Sequence, residues 1–212
     1  MEFTILPVTP YRQNCSLVWD DAGRAALIDP GGEAERLLAE VAQRGLALEK
    51  ILLTHGHLDH VGAAPALRDA LGVPIVGPQQ DEQFWLDALP QQAALFGFPP
   101  TPAFTPDQWL EDGDVVEAGT LRFDVLHCPG HTPGHVVFYL PDARLAFVGD
   151  VLFKGSIGRT DFPRGDHAAL LRAIREKLFP LGDDVRFVPG HGAMSSFGHE
   201  RLENPFVGLG AA

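Results

Sequence analysis

The sequence contains little cysteine and no long apolar run. Cys15 and Cys128 are the only cysteines among 212 residues. They lie far apart and outside any Cys-x-x-Cys pair, so we expect no disulfide framework and a reducing compartment. No apolar stretch reaches the roughly 20 residues of a membrane-spanning helix. The amino terminus lacks the basic region and apolar run of a secretory signal. We therefore expect a cytoplasmic protein without a membrane partner.

Basic residues are scarce as well. The sequence has 16 Lys and Arg against 28 Asp and Glu, a formal net charge of −12 at pH 7. No tract of Lys or Arg offsets this charge, so we expect no nucleic-acid partner and disfavour an RNA-processing nuclease. Hydrophobic residues make up 45% and charged residues 21%, as in ordinary globular proteins. The length suits one large domain or two small ones.

Potential metal ligands are concentrated in residues 54–60, Thr-His-Gly-His-Leu-Asp-His. The apolar run 49–53 before them predicts a buried strand, and residues 61–71 after them predict a helix. The segment therefore lies at the carboxyl end of a strand, where α/β proteins gather their ligand sites. Three imidazoles and one carboxylate at such close spacing are typical of a divalent-metal site. The alternative, a polar turn that contains histidines by chance, is disfavoured for a cluster of this density.

The second half of the sequence repeats this arrangement. Three predicted strands, 121–127, 144–148 and 185–188, are each followed by a potential ligand: His131, Asp150 and His191. The similarity of the halves suggests two sheets of duplicated units that meet at one edge. Strand 25–29 also ends on a carboxylate, Asp29. We prefer a role for Asp29 in orienting the next turn over support of a metal ligand.

Residues 89–106 contain five prolines interleaved with Leu95, Phe96, Phe98 and Phe104. So many prolines exclude a long regular element. We interpret the segment as a connecting loop that its aromatic residues hold over the core, in preference to a lid over a substrate.

Four ordered motifs resemble those of the metallo-β-lactamase-fold hydrolases. They are His-x-His-x-Asp-His at 55–60, Pro-Gly-His-Thr at 129–132, Gly-Asp at 149–150 and Pro-Gly-His-Gly at 189–192. Within that superfamily the sequence is similar to the glyoxalase II-like branch, specifically its short bacterial hydroxyacylglutathione hydrolase-like members, over essentially its whole length. The resemblance implies an α/β fold, an αββα sandwich of two mixed sheets flanked by helices. It also implies a single hydrolase domain over residues 1–212.

The resemblance further implies a binuclear metal centre. The first ion would be held by His55, His57 and His131, the second by Asp59, His60 and His191, with Asp150 as the bridge. So many ligands suit two divalent ions better than one tetrahedral zinc. Zinc is expected, with iron or manganese as alternatives. A hydroxide between the ions would attack a carbonyl, and Asp59 could orient it, so Asp59 and Asp150 are the candidate catalytic carboxylates. We expect His135 to orient a ligand rather than to bind metal.

A small-molecule thioester, S-D-lactoylglutathione or a related compound, is the expected substrate. A thiolate leaving group has a pKa of about 8.5 and needs little acid assistance. Arg159 and Lys154 follow Asp150 in a Gly-rich loop and are the candidate substrate-binding residues, although a structural ion pair explains Arg159 equally well. Full-length glyoxalase II enzymes hold glutathione with a carboxyl-terminal helical domain, which this sequence lacks, so we expect weaker recognition of glutathione and a monomer or homodimer.

Other members of the superfamily remain as alternatives. A mono-iron persulfide dioxygenase shares Gly-Arg-Thr-Asp-Phe at 158–162, although Pro-Gly-His-Gly at 189–192 favours a hydrolase. A lactonase would share every metal ligand, so the metal motifs alone do not exclude it. A β-lactamase is disfavoured by Asp150 as a bridging carboxylate and by the missing export signal.

Overall fold

Alternating apolar residues build a first sheet of five strands. The computed structural model describes residues 1–210. The strands lie in the order β1 (Glu2–Val8), β2 (Gln13–Trp19), β3 (Arg24–Ile28), β4 (Ala47–Leu52) and β5 (Ile75–Val76). β1, β2 and β3 pair antiparallel, whereas β3, β4 and β5 run parallel. The first half of the chain therefore sends the carboxyl ends of β3 and β4 to one edge of this sheet.

The second half of the chain forms a six-stranded sheet. In chain order its strands are β6 (Val115–Ala118), β7 (Leu121–His127), β8 (Val136–Leu140), β9 (Leu145–Gly149), β12 (Arg186–Pro189) and β13 (Ser195–Ser196). Their spatial order is β13-β12-β9-β8-β7-β6, in which β9 and β12 are parallel neighbours. A separate two-stranded ribbon joins β10 (Leu152–Phe153) to β11 (Ser156–Ile157). The ends of β9 and β12 thus deliver Asp150 and His191 side by side.

The helices cover the outer faces of the two sheets. They are α1 (Ala34–Gln43), α2 (Leu58–Val61), α3 (Ala64–Leu71), α4 (Gln83–Asp87), α5 (Leu89–Phe96), α6 (His167–Ala173) and α7 (Phe197–Glu203). A π-helical turn, Ile174–Leu178, continues α6. The carboxylate of Asp166 accepts a hydrogen bond from the Ala169 amide at 2.9 Å and so caps the first turn of α6.

Side chains that alternate along each strand divide the core into layers. On β3, Leu27 packs under α1 and α3, whereas its neighbours Ala26 and Ile28 face the second sheet. On β8, Phe138 faces the first sheet and Val137 packs under α6. The order of layers is helix, sheet, sheet, helix, and the predicted αββα sandwich of two mixed sheets is confirmed.

The structure corrects the interpretation of residues 89–106 as a loop. Its first part is the helix α5, in which Pro90 occupies the first turn, where its missing N–H costs no hydrogen bond. Gly97 ends the helix at φ +70°, a left-handed conformation that favours glycine. The predicted helix 61–71 is also divided between two helices. α2 begins inside the His-rich segment at Leu58 and ends at Val61, and α3 begins at Ala64. Sequence patterns missed β6, β10, β11 and β13, which are short.

The two sheets are joined at the edge where the potential ligands gather. The backbone amide of Asn14, at the start of β2, donates to the Gly190 carbonyl at 2.7 Å, and the backbone amide of Gly190 donates to the Gly149 carbonyl at 2.7 Å. Gln13 and His191 form an isolated bridge between the sheets. This continuous backbone network fixes the distance between residues from the two halves of the chain. Among residues 1–210, no helix has the length and apolar character needed to cross a membrane.

Candidate metal centre

Three imidazole nitrogens converge at the joined edge of the sheets. Nδ1 of His57 lies 3.1 Å from Nε2 of His55 and 3.1 Å from Nε2 of His131. Nitrogens bound at 2.0–2.1 Å to one tetrahedral zinc would lie about 3.3 Å apart, so this spacing suits a shared ion. Burial holds the pKa of each of these imidazoles below its usual value, which keeps their lone pairs free for a metal.

A second group of potential ligands lies next to the first. Oδ2 of Asp59 is 3.3 Å from Nε2 of His191 and 4.0 Å from Nε2 of His60. Burial opposes a charge on His60, but the combined attraction of Asp150, Asp59 and Asp29 outweighs it and raises the His60 pKa to about 10. A positive charge is therefore favoured at this position, where a metal ion would supply one.

Asp150 lies between the two groups. Its Oδ1 is 3.5 Å from Nε2 of His60, and its Oδ2 is 3.6 Å from Nε2 of His131 and 3.7 Å from Nε2 of His191. Oδ1 of Asp150 and Nε2 of His60 are buried without a hydrogen-bond partner. Buried polar atoms of this kind are costly unless something satisfies them, and a metal ion would satisfy both. The donor set and its orphaned atoms thus fit two divalent ions.

Glycines hold Asp150 in this position. A Cβ atom on Gly158 would lie 1.9 Å from the Asp150 carbonyl oxygen, and one on Gly190 would lie 2.1 Å from Oδ1. Any other residue at either position would collide with Asp150. The backbone amide of Asp150 donates to Nε2 of His135 at 3.1 Å. His135 therefore orients the backbone of a proposed ligand, as the sequence analysis predicted.

The Asp29 carboxylate contacts Thr54, directly after β4, and the proposed ligand His60. Its carboxylate accepts from the Thr54 amide at 2.7 Å and the Thr54 hydroxyl at 2.6 Å, and its Oδ2 lies 2.9 Å from Nδ1 of His60. A carboxylate behind a metal-binding imidazole fixes the ring and raises its basicity. The structure therefore supports the role that sequence reasoning placed second, support of a ligand, because the carboxylate's partners, Thr54 and His60, both lie in the segment after β4.

Three further proposed ligands, His55, His131 and His191, also have a hydrogen-bond partner on the ring nitrogen that points away from the centre. Nδ1 of His55 lies 3.0 Å from the Thr54 hydroxyl. Nδ1 of His131 lies 2.7 Å from the Arg159 carbonyl oxygen, and Nδ1 of His191 lies 3.2 Å from the Tyr11 carbonyl oxygen. These contacts leave the inward nitrogens facing the centre before any ion binds.

Glu82 joins the two loops that carry the first group of histidines, and sequence reasoning missed it. Its carboxylate is fully buried and accepts from the Gly56 amide at 2.8 Å and the Gly134 amide at 2.7 Å. Burial raises the pKa of Glu82 to about 7. A Cβ atom on Gly134 would lie 2.8 Å from Cγ of Glu82, so the close approach requires glycine there. The sequence gives no sign of this role, because Glu82 lies in an ordinary polar helix pattern.

A cleft of about 840 Å³ opens above the ligands. His57, Asp59, His131, Asp150 and His191 form its floor. The rings of Trp85 and Phe162 pack edge-on against His57, with centroid distances of 4.5 and 4.8 Å. These aromatic walls keep water from the ligand imidazoles on that side.

The two predicted substrate-binding residues differ in position. Arg159 lines the cleft, where its guanidinium lies 4.7 Å from the Phe162 ring centroid and donates to Asp161 at 2.8 and 2.9 Å. Both interpretations of Arg159, a place at the substrate and an ion pair, therefore have a structural basis. Lys154 is exposed and, within residues 1–210, is not part of the cleft lining.

Comparison with known proteins places this site in a family. Residues 8–191 match the model of the metallo-beta-lactamase superfamily. The hydroxyacylglutathione hydrolase GloC of Haemophilus influenzae is 50% identical over 98% of both chains. The solved structure of BLEG-1, described as a B3 metallo-beta-lactamase, is 38% identical, covers 97% of this chain and 99% of its own, and has a TM-score of 0.90. The structure of TTHA1623 in a di-iron-bound form is 39% identical, covers 96% of this chain and 99% of its own, and has a TM-score of 0.88.

Proposed function

The chain belongs to the metallo-beta-lactamase superfamily and is a metal-dependent hydrolase, and from that premise we propose that it is a thioesterase of the glyoxalase II type. Its substrate would be S-D-lactoylglutathione or a related small-molecule thioester. The name of GloC, which is 50% identical to this chain, supports this class of substrate. The structural observation that carries the proposal is the position of Asp150 between two groups of ligands, as a binuclear hydrolytic centre requires.

We assign the ligands to two ions. His55, His57 and His131 would hold the first ion, Asp59, His60 and His191 the second, and Asp150 would contact both. Imidazole and carboxylate donors suit zinc, iron and manganese, and we propose zinc. When bound, such ions lower the pKa of water from 15.7 to about 7 and polarise a carbonyl oxygen.

The chain's own residues would prepare the site for that chemistry. Asp59 is the cleft-floor carboxylate nearest His191, at 3.3 Å, and is the candidate for orienting the attacking oxygen. Trp85 and Phe162 exclude water from the side of His57. A thiolate with a pKa of about 8.5 leaves without a proton, so a thioester does not need a general acid from the cleft.

Hydrolysis of a β-lactam is the second candidate. It is favoured by the similarity to BLEG-1, which is described as a B3 metallo-beta-lactamase, at a TM-score of 0.90. Assays of the purified protein with penicillins and carbapenems measure this activity directly.

Metal analysis combined with a substrate panel tests the proposal. Protein purified without chelator should contain two divalent ions per chain and hydrolyse S-D-lactoylglutathione. A reproducible single iron, with oxygen consumed on glutathione persulfide, would replace the hydrolase by the dioxygenase alternative. Fast opening of homoserine lactones or β-lactams without thioester cleavage would keep the metal centre and change the substrate.

Other expectations from the sequence stay predictions. They are a single hydrolase domain over residues 1–212, a monomer or homodimer, cytoplasmic localisation and a substrate contact by Lys154. Size-exclusion chromatography with light scattering measures the oligomeric state directly.

A further inference from the structure

The cleft above the metal ligands has apolar walls that the metal chemistry does not require. Helix α5 turns Leu95 and Phe96 toward the cleft, and Tyr11 and Phe98 face it from neighbouring loops. The rings of Tyr11 and Phe98 lie 5.5 Å apart. Trp85, Phe153 and Phe162 extend this apolar surface down to the ligand histidines. Apolar side chains therefore line the cleft from its mouth to the reacting centre.

Several of these apolar side chains are exposed to water, which is energetically unfavourable. Leu95 is 77% exposed, Phe96 51% and Tyr11 50%, and all three border the same cleft. Single exposed apolar residues are ordinary on a protein surface, but a cluster at a cleft marks a binding site. Covering such surface is favourable by about 25 cal/mol per Å².

The cleft offers little to a charged substrate. Apart from the proposed metal ligands, Arg159 is the one charged residue that lines it within residues 1–210. Its guanidinium already donates twice to Asp161, at 2.8 and 2.9 Å. Gln91, Gln92 and Ser156, the remaining polar residues of the wall besides Tyr11, are neutral. The two carboxylates of a glutathione thioester would find no unpaired cation here.

We propose that this wall is a binding site for an extended apolar group of the substrate, so that the enzyme prefers thioesters bearing an aliphatic or aromatic group over those of small polar acids. The inference rests on the proposed thioesterase function, because it assigns the part of the thioester that lies beyond the reacting carbonyl. The apolar group lies on the acyl side or on the thiol side of the sulfur. Both sources share the same chemistry, and two series of substrates separate them.

The test uses zinc-loaded protein and two homologous series. One varies the acyl group from acetyl to octanoyl on N-acetylcysteamine, and the other varies the thiol from ethanethiol to octanethiol as acetyl thioesters. A fully buried methylene is worth about fourfold in kcat/KM. We expect at least a tenfold rise between acetyl and hexanoyl, or over the same increment in thiol length.

Variants at the cleft mouth locate the effect. Leu95→Ala and Phe96→Ala should reduce the ratio of kcat/KM for the long and short members of that series to below threefold. The matched control is Leu202→Ala, which removes a leucine that is 58% exposed on α7 and outside the cleft lining. This control should keep both the ratio and the rate. Calorimetric binding of non-hydrolysable S-hexyl and S-methyl thioethers gives the same comparison without turnover.

Each result is decisive. A rise in either series that the cleft variants remove supports the inference. Hydrolysis with no dependence on length in either series overturns the apolar site and leaves the thioesterase intact. Failure to cleave any thioester while the thioethers bind equally overturns both.

Discussion

Oδ2 of Asp29 lies 2.9 Å from Nδ1 of His60, although the two residues are 31 positions apart in the sequence. Asp29 follows β3, whereas His60 lies in the turn of helix after β4. The parallel pairing of these strands brings the carboxylate behind the imidazole, while Nε2 of His60 faces Asp150 at 3.5 Å. One buried chain of contacts thus connects the first sheet to the proposed second ion.

Asp29→Asn should weaken binding of the ion at His60. Asparagine tolerates the left-handed backbone of Asp29, φ 51°, and still accepts the Thr54 amide hydrogen, but its amide group no longer holds the imidazole as a carboxylate does. Loss of such a partner costs about 10- to 100-fold in metal affinity. Zinc titration against a chelating dye measures both ions, and the ion at His55, His57 and His131 is the internal reference.

An exposed carboxylate supplies the external control for this titration. Asp21→Asn changes a side chain that is 97% exposed and should leave both affinities unchanged. Equal affinities in Asp29→Asn and the parent protein would show that Asp29 supports only the backbone at Thr54.

Asp150→Asn should reduce both the number of bound metal ions and the activity. The substitution keeps the shape that fits between Gly158 and Gly190 but removes the charge that both groups of ligands share. We expect one ion per chain instead of two, and a fall in kcat by at least about 100-fold, corresponding to about 3 kcal/mol of transition-state stabilisation. Elemental analysis and steady-state kinetics measure these effects, with exposed Asp142→Asn as the control. Two retained ions with normal turnover would contradict the shared-ligand assignment.

The gathering of these histidines and aspartates at one edge could be predicted because each lies in a segment that follows a strand. A strand must end in a loop, parallel strands end at one edge, and the pattern of histidines and aspartates marks those loops in the sequence. The strands indicated two sheets that meet at one edge, and the αββα layers followed from the resemblance to a family. The site residues that sequence reasoning missed act across long separations through ordinary-looking side chains. Glu82 is such a residue, and only the packing of α4 and its preceding turn against two loops places it beside Gly56 and Gly134.

Glu82 should make stability depend on pH. Burial raises its folded pKa to about 7 from an ordinary value of 4.5, so the folded protein binds this proton more tightly than the unfolded chain. The stabilisation is fully present below about pH 4.5 and is lost as the pH rises through about 7. At about 1.36 kcal/mol per pKa unit, the loss approaches about 3 kcal/mol. Glu82→Gln removes the titration, so the difference in unfolding free energy between parent and variant should change by that amount between pH 4.5 and 8.

Urea denaturation of the metal-free proteins at several pH values measures this difference. Because the other titrating groups are common to both proteins, their contributions cancel in the comparison. Glu176→Gln, at an exposed position on the turn after α6, is the matched control and should follow the parent protein. A difference that stays constant from pH 4.5 to 8 would assign Glu82 an ordinary carboxylate pKa.

Arg159 and Asp161 should have opposite effects on an anionic thioester. The guanidinium lines the cleft, but its bonds to Asp161 partly neutralise it. Arg159→Ala removes a charge-assisted contact worth about 1–2 kcal/mol, so kcat/KM for S-D-lactoylglutathione should fall about 5- to 30-fold. The backbone carbonyl that holds His131 at 2.7 Å remains in this variant, so the metal content should stay at two ions.

Asp161→Asn frees the guanidinium and should lower KM for the same substrate. A neutral N-acetylcysteamine thioester should respond less than twofold to either change. Steady-state kinetics on both substrates with all three proteins measures the pattern. Equal losses on the anionic and the neutral substrate in Arg159→Ala would mean that the residue supports its loop and leaves the substrate untouched.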